Sequence, residues 1–217
     1  MPTYLELKNA TANQLGKSDG GTANTIRDNH INDVIRNEIA DSYPFSWLRK
    51  SGSLSLDSSG QADLAADYNP VHPVYDLRKT VSGTGNDDIF TEVTREGFDK
   101  YSAGDYKFYV DYNTSTNRYR VNTTEVSLTA TVTYYHKPTA LSADADVCIV
   151  PDQDVVAYLS AARYWLSSER DEANHDRFKS LGNTRLQQLI LSDKKTNPLR
   201  SRRGTVYGRN LGWNTGW

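Results

Sequence analysis

Apolar residues along this chain follow a helical period first, then a period of two, and then a helical period again. Residues 3–15 form the first helical candidate, with a thin stripe of Leu5, Leu7 and Leu15. A glycine-containing break at residues 16–21 leads into a clearer amphipathic segment, Thr25 to Ser42, in which Ile31, Val34, Ile35 and Ile39 recur at helical spacing. Pro44 ends that helix. The run Tyr43-Pro44-Phe45-Ser46-Trp47-Leu48 then places three aromatic rings just past its end, where they can cover the helix pair.

Alternation begins at Ser53-Leu54-Ser55-Leu56 and stops at Asp57-Ser58-Ser59-Gly60, the signature of a strand followed by a turn. Segments 74–79, 106–112, 118–122 and 126–136 read as further strands, with Asn113 to Asn117 as a hairpin loop. The longest puts Val126, Leu128, Ala130, Val132 and Tyr134 on one face and Ser127, Thr129, Thr131, Thr133 and Tyr135 on the other, which predicts an antiparallel sheet with one wet face. Residues 91–101 fit a short helix or a turn equally well.

Helical spacing returns after Pro151. Val155, Leu159, Ala162 and Leu166 form one stripe, with Tyr158 and Trp165 beside it and Asp152 and Asp154 at the end that favours acids. A second stretch, residues 171–192, aligns Phe178, Leu181, Arg185 and Leu189, with Leu186 and Ile190 adjacent and Gly182 as a weak point. From residue 196 there is no period at all. Gly204, Gly208, Gly212 and Gly216 fall four apart among Tyr207, Arg209, Trp213 and Trp217, the composition of an extended arm.

These patterns predict an α+β fold in which N- and C-terminal helices pack together around an inserted antiparallel β-region. The expected divisions are residues 1–50 for the first helices, 51–150 for the β-region, 151–193 for the last helices packing on 1–50, and 194–217 for the arm.

Charge sharpens this division. The net charge is -2, yet residues 194–217 carry six basic side chains, Lys194, Lys195, Arg200, Arg202, Arg203 and Arg209, and no acid, which leaves -8 on residues 1–193. An acidic body with a basic tail suggests two different partners. Five Phe, 14 Tyr and four Trp among 217 residues give enough to bury that disorder throughout is excluded. A lone cysteine, Cys148, rules out an intramolecular disulfide and a cysteine zinc cluster, and reads as a small core residue. The first 17 residues hold no basic segment leading into an apolar run, and no stretch reaches membrane-spanning length. A soluble protein made in a cytoplasm is expected, and the sequons at Asn113 and Asn122 then carry no weight.

Candidate chemistry is sparse. His30, His72, His136 and His175 are scattered without a second ligand at helical or strand spacing, and read as surface or satisfied histidines. Gly83-Thr84-Gly85 lacks the context of a phosphate loop, and Asp87-Asp88 and Asp144/Asp146 lack the register of a calcium loop, so flexible turns and solvated carboxylates fit better. No catalytic residue, metal or cofactor is expected, and the protein is read as a non-enzyme. Tyr106, Tyr109, Tyr112, Tyr119, Tyr134 and Tyr135 lie in strand candidates. Sheet or subunit packing explains them; stacking on sugars or bases is the competing reading, and makes the chain a polysaccharide- or nucleic-acid-binding module with a Tyr-rich sheet.

The opening Thr3-Tyr4-Leu5-Glu6-Leu7, the helix containing Ile31-Asn32-Asp33-Val34-Ile35, the turn Tyr43-Pro44-Phe45-Ser46-Trp47-Leu48, the β-region and the final helix pair occur in an order that resembles the head-to-tail adaptor proteins of tailed bacteriophages. The likeness is to adaptors with a β-domain between their helices, and covers roughly residues 1–193. It implies a structural protein of the virion neck, made in the host bacterial cytoplasm. Copies of the chain, twelve in the usual case, would form a ring under the portal protein that continues its channel for double-stranded DNA and meets tail or nozzle proteins below, with no membrane involved. Tyr43, Pro44, Phe45 and Trp47 would build the fold. A C-terminal extension that grips the portal is common in such adaptors, and Arg200, Arg202, Arg203, Tyr207, Arg209, Trp213 and Trp217 occupy that position here.

Overall fold

The computed structural model describes residues 1–16, 22–80 and 88–197. In chain order the elements are α1 (Tyr4–Leu15), α2 (Thr22–Asp33), a π-helical stretch Val34–Ile39, α3 (Ala40–Ser42), a 3-10 turn Ser46–Leu48, β1 (Arg49–Ser55), β2 (Gln61–Asp63), β3 (Asp76–Lys79), β4 (Thr91–Glu92), α4 (Arg95–Phe98), β5 (Lys107–Asn113), β6 (Arg118–Thr123), β7 (Thr129–Tyr135), α5 (Gln153–Tyr164), a second π-helical stretch Trp165–Glu169, and α6 (Glu172–Thr196). This is an α+β fold. The described chain forms two compact units, the first made of Met1–Ser51, Ala66–Tyr75 and residues 133–197, the second of Gly52–Ala65 and Asp76–Val132.

The first unit is a helical core. Thr3 begins α1 with a capping box, its hydroxyl taking the Glu6 amide while the Glu6 carboxylate takes the Thr3 amide at 2.7 Å. Gly16, at φ 61, ends the helix in the left-handed conformation that glycine tolerates best. Leu7, Ile31, Val34, Ile35, Ile39, Phe45, Leu48, Val150, Val155 and Leu159 meet in one buried cluster with Cys148. The segment expected as one helix from residue 25 is widened at Val34–Ile39, where the Ala40 amide reaches back five residues to the Ile35 carbonyl. That extra residue per turn keeps Val34, Ile35, Ile39 and Ala40 all on the buried side. Outside them, Glu38 pairs with both Arg163 and Lys179.

Helix α6 corrects the predicted stripe. Phe178, Gly182, Leu186 and Ile190 are buried and Leu181 is exposed, so the inward face lies one residue away from the line through Leu181, Arg185 and Leu189. Gly182 explains the shift. A Cβ built there would stand 2.5 Å from Leu159 Cδ2, so the glycine is a close approach of α6 to α5 rather than its weak point. Leu166, expected in the α5 stripe, is also exposed, because α5 gives way at Trp165 to the π-helical stretch that Arg170 ends at φ 53.

The strands of the second unit belong to two small sheets, with strand orders β1-β7-β3 and β2-β6-β5-β4, the first three residues of β1 and the last three of β7 being counted with the first unit. β5 and β6 pair antiparallel from Phe108↔Thr123 to Asn113↔Arg118, which places the hairpin loop where the sequence predicts it. β2 joins β6 antiparallel, and β4 adds a parallel pairing to β5. Leu54, Leu56, Leu64, Leu77, Phe90, Phe108, Val121, Ala130 and Val132 are its buried apolar residues. Gly60, at φ 72, is required where it stands, since a Cβ would lie 2.5 Å from the Thr123 carbonyl oxygen.

The alternation predicted for residues 126–136 holds for Ala130 and Val132 here and for Tyr134 in the first unit, but not at its ends. Val126 is exposed. Tyr135, expected on the wet face, is buried in the helical cluster, because the end of β7 belongs to the first unit and is covered on both sides.

Candidate partner interface

The turn after α3 and the end of α6 meet in the first unit, and the chain leaves the described structure from this place. Tyr43 is extended, Pro44 prevents further helix, and Phe45 is fully buried. Phe45 stacks on Trp47 with ring centroids 4.6 Å apart and meets Tyr43 edge-on at 4.9 Å. The four residues expected to build this turn are thus brought together. Phe45 and Trp47, two residues apart, stack where Ser46–Leu48 turns as a 3-10 helix, and Tyr43 adds an edge to the pair.

Asp193 fastens α6 to this turn. A carboxylate in the last turn of a helix opposes the helix dipole, so its position needs other support. Its two oxygens lie 3.3 and 3.2 Å from the Ser46 amide, and the Ser46 hydroxyl also donates to it. Asn197 continues the network, donating from Nδ2 to Ser46 Oγ at 3.0 Å and from its backbone amide to the Asp193 carbonyl at 2.7 Å. The Lys194 ammonium stands 5.5 Å from the Tyr43 ring centroid. The basic segment therefore begins directly beside the aromatic turn.

Arg49 lies on the other side of the turn. Its guanidinium carbon is 4.2 Å from the Tyr75 ring centroid and 6.0 Å from that of Tyr135. Burial raises the Tyr135 hydroxyl above the usual tyrosine range, and a hydrogen bond from Arg49, together with its charge, opposes this. Burial also raises Tyr43, reinforced by Asp193. Sequence reading assigned no role to Ser46, Arg49, Tyr75, Asp193 or Asn197; only Tyr135, as a buried residue, would have broken the alternation of its strand. Arg200, Arg202, Arg203, Tyr207, Arg209, Trp213 and Trp217 lie outside the described residues.

The other candidates for chemistry take ordinary structural places. Each histidine has a partner: His30 with Ser167 Oγ at 2.9 Å, His72 with the Ala40 carbonyl at 2.7 Å, His136 with the Leu48 carbonyl at 2.7 Å, and His175 with the Ala162 carbonyl at 2.9 Å. The Asp146 carboxylate is held by the amides of Ser142 and Ala143, which lower its pKa, and Asp144 pairs with Lys8. Cys148 is buried, and burial pushes its thiol up to about 11. No group of three or more His, Cys, Asp or Glu among the described residues could hold a metal ion, and none of the described helices is long and apolar enough to cross a membrane. Gly83, Thr84, Gly85 and Asp87 lie outside the described residues.

The strand tyrosines are largely engaged within their own unit. Tyr106 meets Phe90, Tyr109 meets Phe98, and Tyr112 meets Tyr119 across the β5–β6 pair, all edge-on at 4.8 to 5.4 Å. Tyr134 donates its hydroxyl to Asp67 at 2.9 Å and is pushed up to about 12 by burial and that carboxylate. Tyr112–Tyr119 is cross-strand packing, and the Tyr106 and Tyr109 rings pack edge-on against phenylalanines from outside the strands.

No curated protein matches the sequence. The family model described as SU10 adaptor protein matches residues 2–203, from the first capping box through the whole of α6 and into the basic segment that leaves it. The match spans both units and the turn that joins α3 to β1, and on it the chain belongs to the SU10 adaptor protein family, a family of phage head-to-tail adaptors.

Proposed function

We propose that the chain acts as a ring-forming neck protein, with twelve copies seated under the portal, extending its DNA channel and attaching the tail. The basic and aromatic segment from Lys194 onward serves as the arm that grips the portal. The observation that carries this reading is the anchorage of Asp193 and Asn197 on Ser46, which fixes the start of that segment to the buried core of an adaptor-family protein. A charged segment of +6 on a body of -8 separates two tasks. Arginines suit paired carboxylates on a partner, and Trp213 and Trp217 suit apolar pockets. A conduit of net negative sign avoids retaining DNA phosphates that must pass along it.

Truncation after Asn197 tests the arm. The shortened chain should keep its circular dichroism spectrum and thermal transition and lose co-sedimentation with portal particles. Undiminished portal binding by the truncated chain would remove the arm from the account. Loss of affinity for DNA instead, with a steep dependence on salt, would make the chain a nucleic-acid-binding module.

A further inference from the structure

The loop between β7 and α5 leaves a groove open on the first unit. Ile35 and Cys148, both buried, form its floor, and Pro138, Leu141, Val147 and Ile149 form apolar walls around a volume of about 490 Å³. That is room for a large aromatic side chain together with the backbone that carries it. The groove can be entered as it stands, since Val147 on its wall is 60% exposed. Asp146 also lines it. Its carboxylate takes hydrogen bonds from Ser142 and Ala143 through Oδ2, which leaves Oδ1 for a cation.

One end of the groove adjoins the place where the arm departs. His136, which lines it, bonds the Leu48 carbonyl through both its backbone amide and its ring, and Asn197 bonds Ser46, two residues earlier in the same 3-10 turn. An arm that returned to its own groove would need only a few residues. This one has fifteen between Asn197 and Trp213, so Trp213 can lie up to about 55 Å from the root. Neighbouring copies of a compact chain of this size stand about 40 Å apart in a ring. Tyr207 falls short of that span, at about 35 Å when fully extended, and Trp213 is the first aromatic residue that reaches it.

We propose that the groove seats Trp213 from the arm of the neighbouring copy, with Arg209 of that arm against Asp146. This rests on the ring reading above and divides the arm in two, its root lying against the portal and its end clipping one copy to the next. Groove and arm are different surfaces of the same chain, so each copy gives one arm and receives one. Such a head-to-tail contact is the kind that closes into a ring.

The test uses the full-length chain carrying Val147→Cys and Asn214→Cys, assembled on purified portal rings and oxidised. Position 147 is exposed, and a change at position 214 keeps Trp213. The native Cys148 is buried, with its thiol pushed up to about 11, and does not compete. A ladder of disulfide-linked multimers supports the clip. Links that close only within single chains overturn it, as does the absence of links in rings that assemble. Val147→Arg obstructs the groove from its exposed wall, so the melting temperature should stay unchanged while Kd for assembly on the portal rises about tenfold or more. Trp213→Ala should act alike, and the two together should weaken assembly no more than either alone. Additive losses, or binding by Val147→Arg within about threefold of the wild type, overturn the proposal. Failure of the wild-type chain to form rings on the portal is a separate result, which takes the ring reading down first and the clip with it.

Discussion

The carboxylate of Asp193, in the last turn of α6, receives the backbone amide of Ser46 at 3.2 Å across 147 residues of chain. Asp193→Ala should cost about 1 to 3 kcal/mol, because it leaves the Ser46 amide and hydroxyl without their acceptor in a partly buried place. Ser46→Ala should cost less, since the carboxylate keeps the backbone amide. A double-mutant cycle by chemical denaturation measures the coupling, and additive losses would show that the two groups act independently.

Gly182 and Leu159 make the second firm junction. Alanine is the better helix former by about 0.8 to 1.0 kcal/mol, but its Cβ would press on Leu159 Cδ2 and Cγ at 2.5 and 2.7 Å, and overpacking costs about 1 to 3 kcal/mol. Gly182→Ala should therefore be destabilising by about 1 kcal/mol in urea unfolding. A stabilised variant would mean that α5 and α6 can separate freely.

In the aromatic stack the two large rings should differ in weight. Phe45 is fully buried and Phe45→Ala should cost about 3 to 5 kcal/mol. Trp47 only packs against the core from its edge and leaves its Nε1 without a partner, so Trp47→Ala should cost distinctly less. Equal losses in the two variants would place Trp47 in the core.

His72 gives the fold a pH dependence. Burial lowers its pKa, against the upward pull of the Ala40 carbonyl and Asp41, so the ring takes up a proton less readily in the fold than in the unfolded chain. The unfolded chain then binds more protons than the folded one below the ordinary histidine range, so stability falls as pH drops from about 7 towards 5. His30, lowered by burial and by Arg163, adds in the same direction. His72→Gln should flatten the decline of melting temperature across that window without abolishing it, and an unchanged slope would show that His72 titrates alike in both states.

Sequence pattern revealed the helices, the hairpin and the aromatic turn, because each has a local cause: the stripe of Ile31, Val34, Ile35 and Ile39, the break at Pro44, the strand segments on either side of Asn113 to Asn117. It hid β2 and β4, whose three and two residues hold one apolar side chain between them, Ala62. The π-helical stretches were also invisible, since an inserted residue shifts the stripe without leaving a marker residue. Gly182 misled for a related reason, as only the proximity of Leu159 turns a poor helix former into a contact. The acidic and basic members of the site, Asp193 and Arg49, are legible only once α6 is seen to end beside residue 46, a long-range fact that no local period encodes.

The most direct measurement is electron microscopy of purified portal rings incubated with the full-length chain. The account predicts an added, rotationally symmetric ring of this protein beneath the portal and coaxial with its channel, lost when residues 198–217 are removed. Portal rings that stay bare while the chain remains free in solution would contradict it.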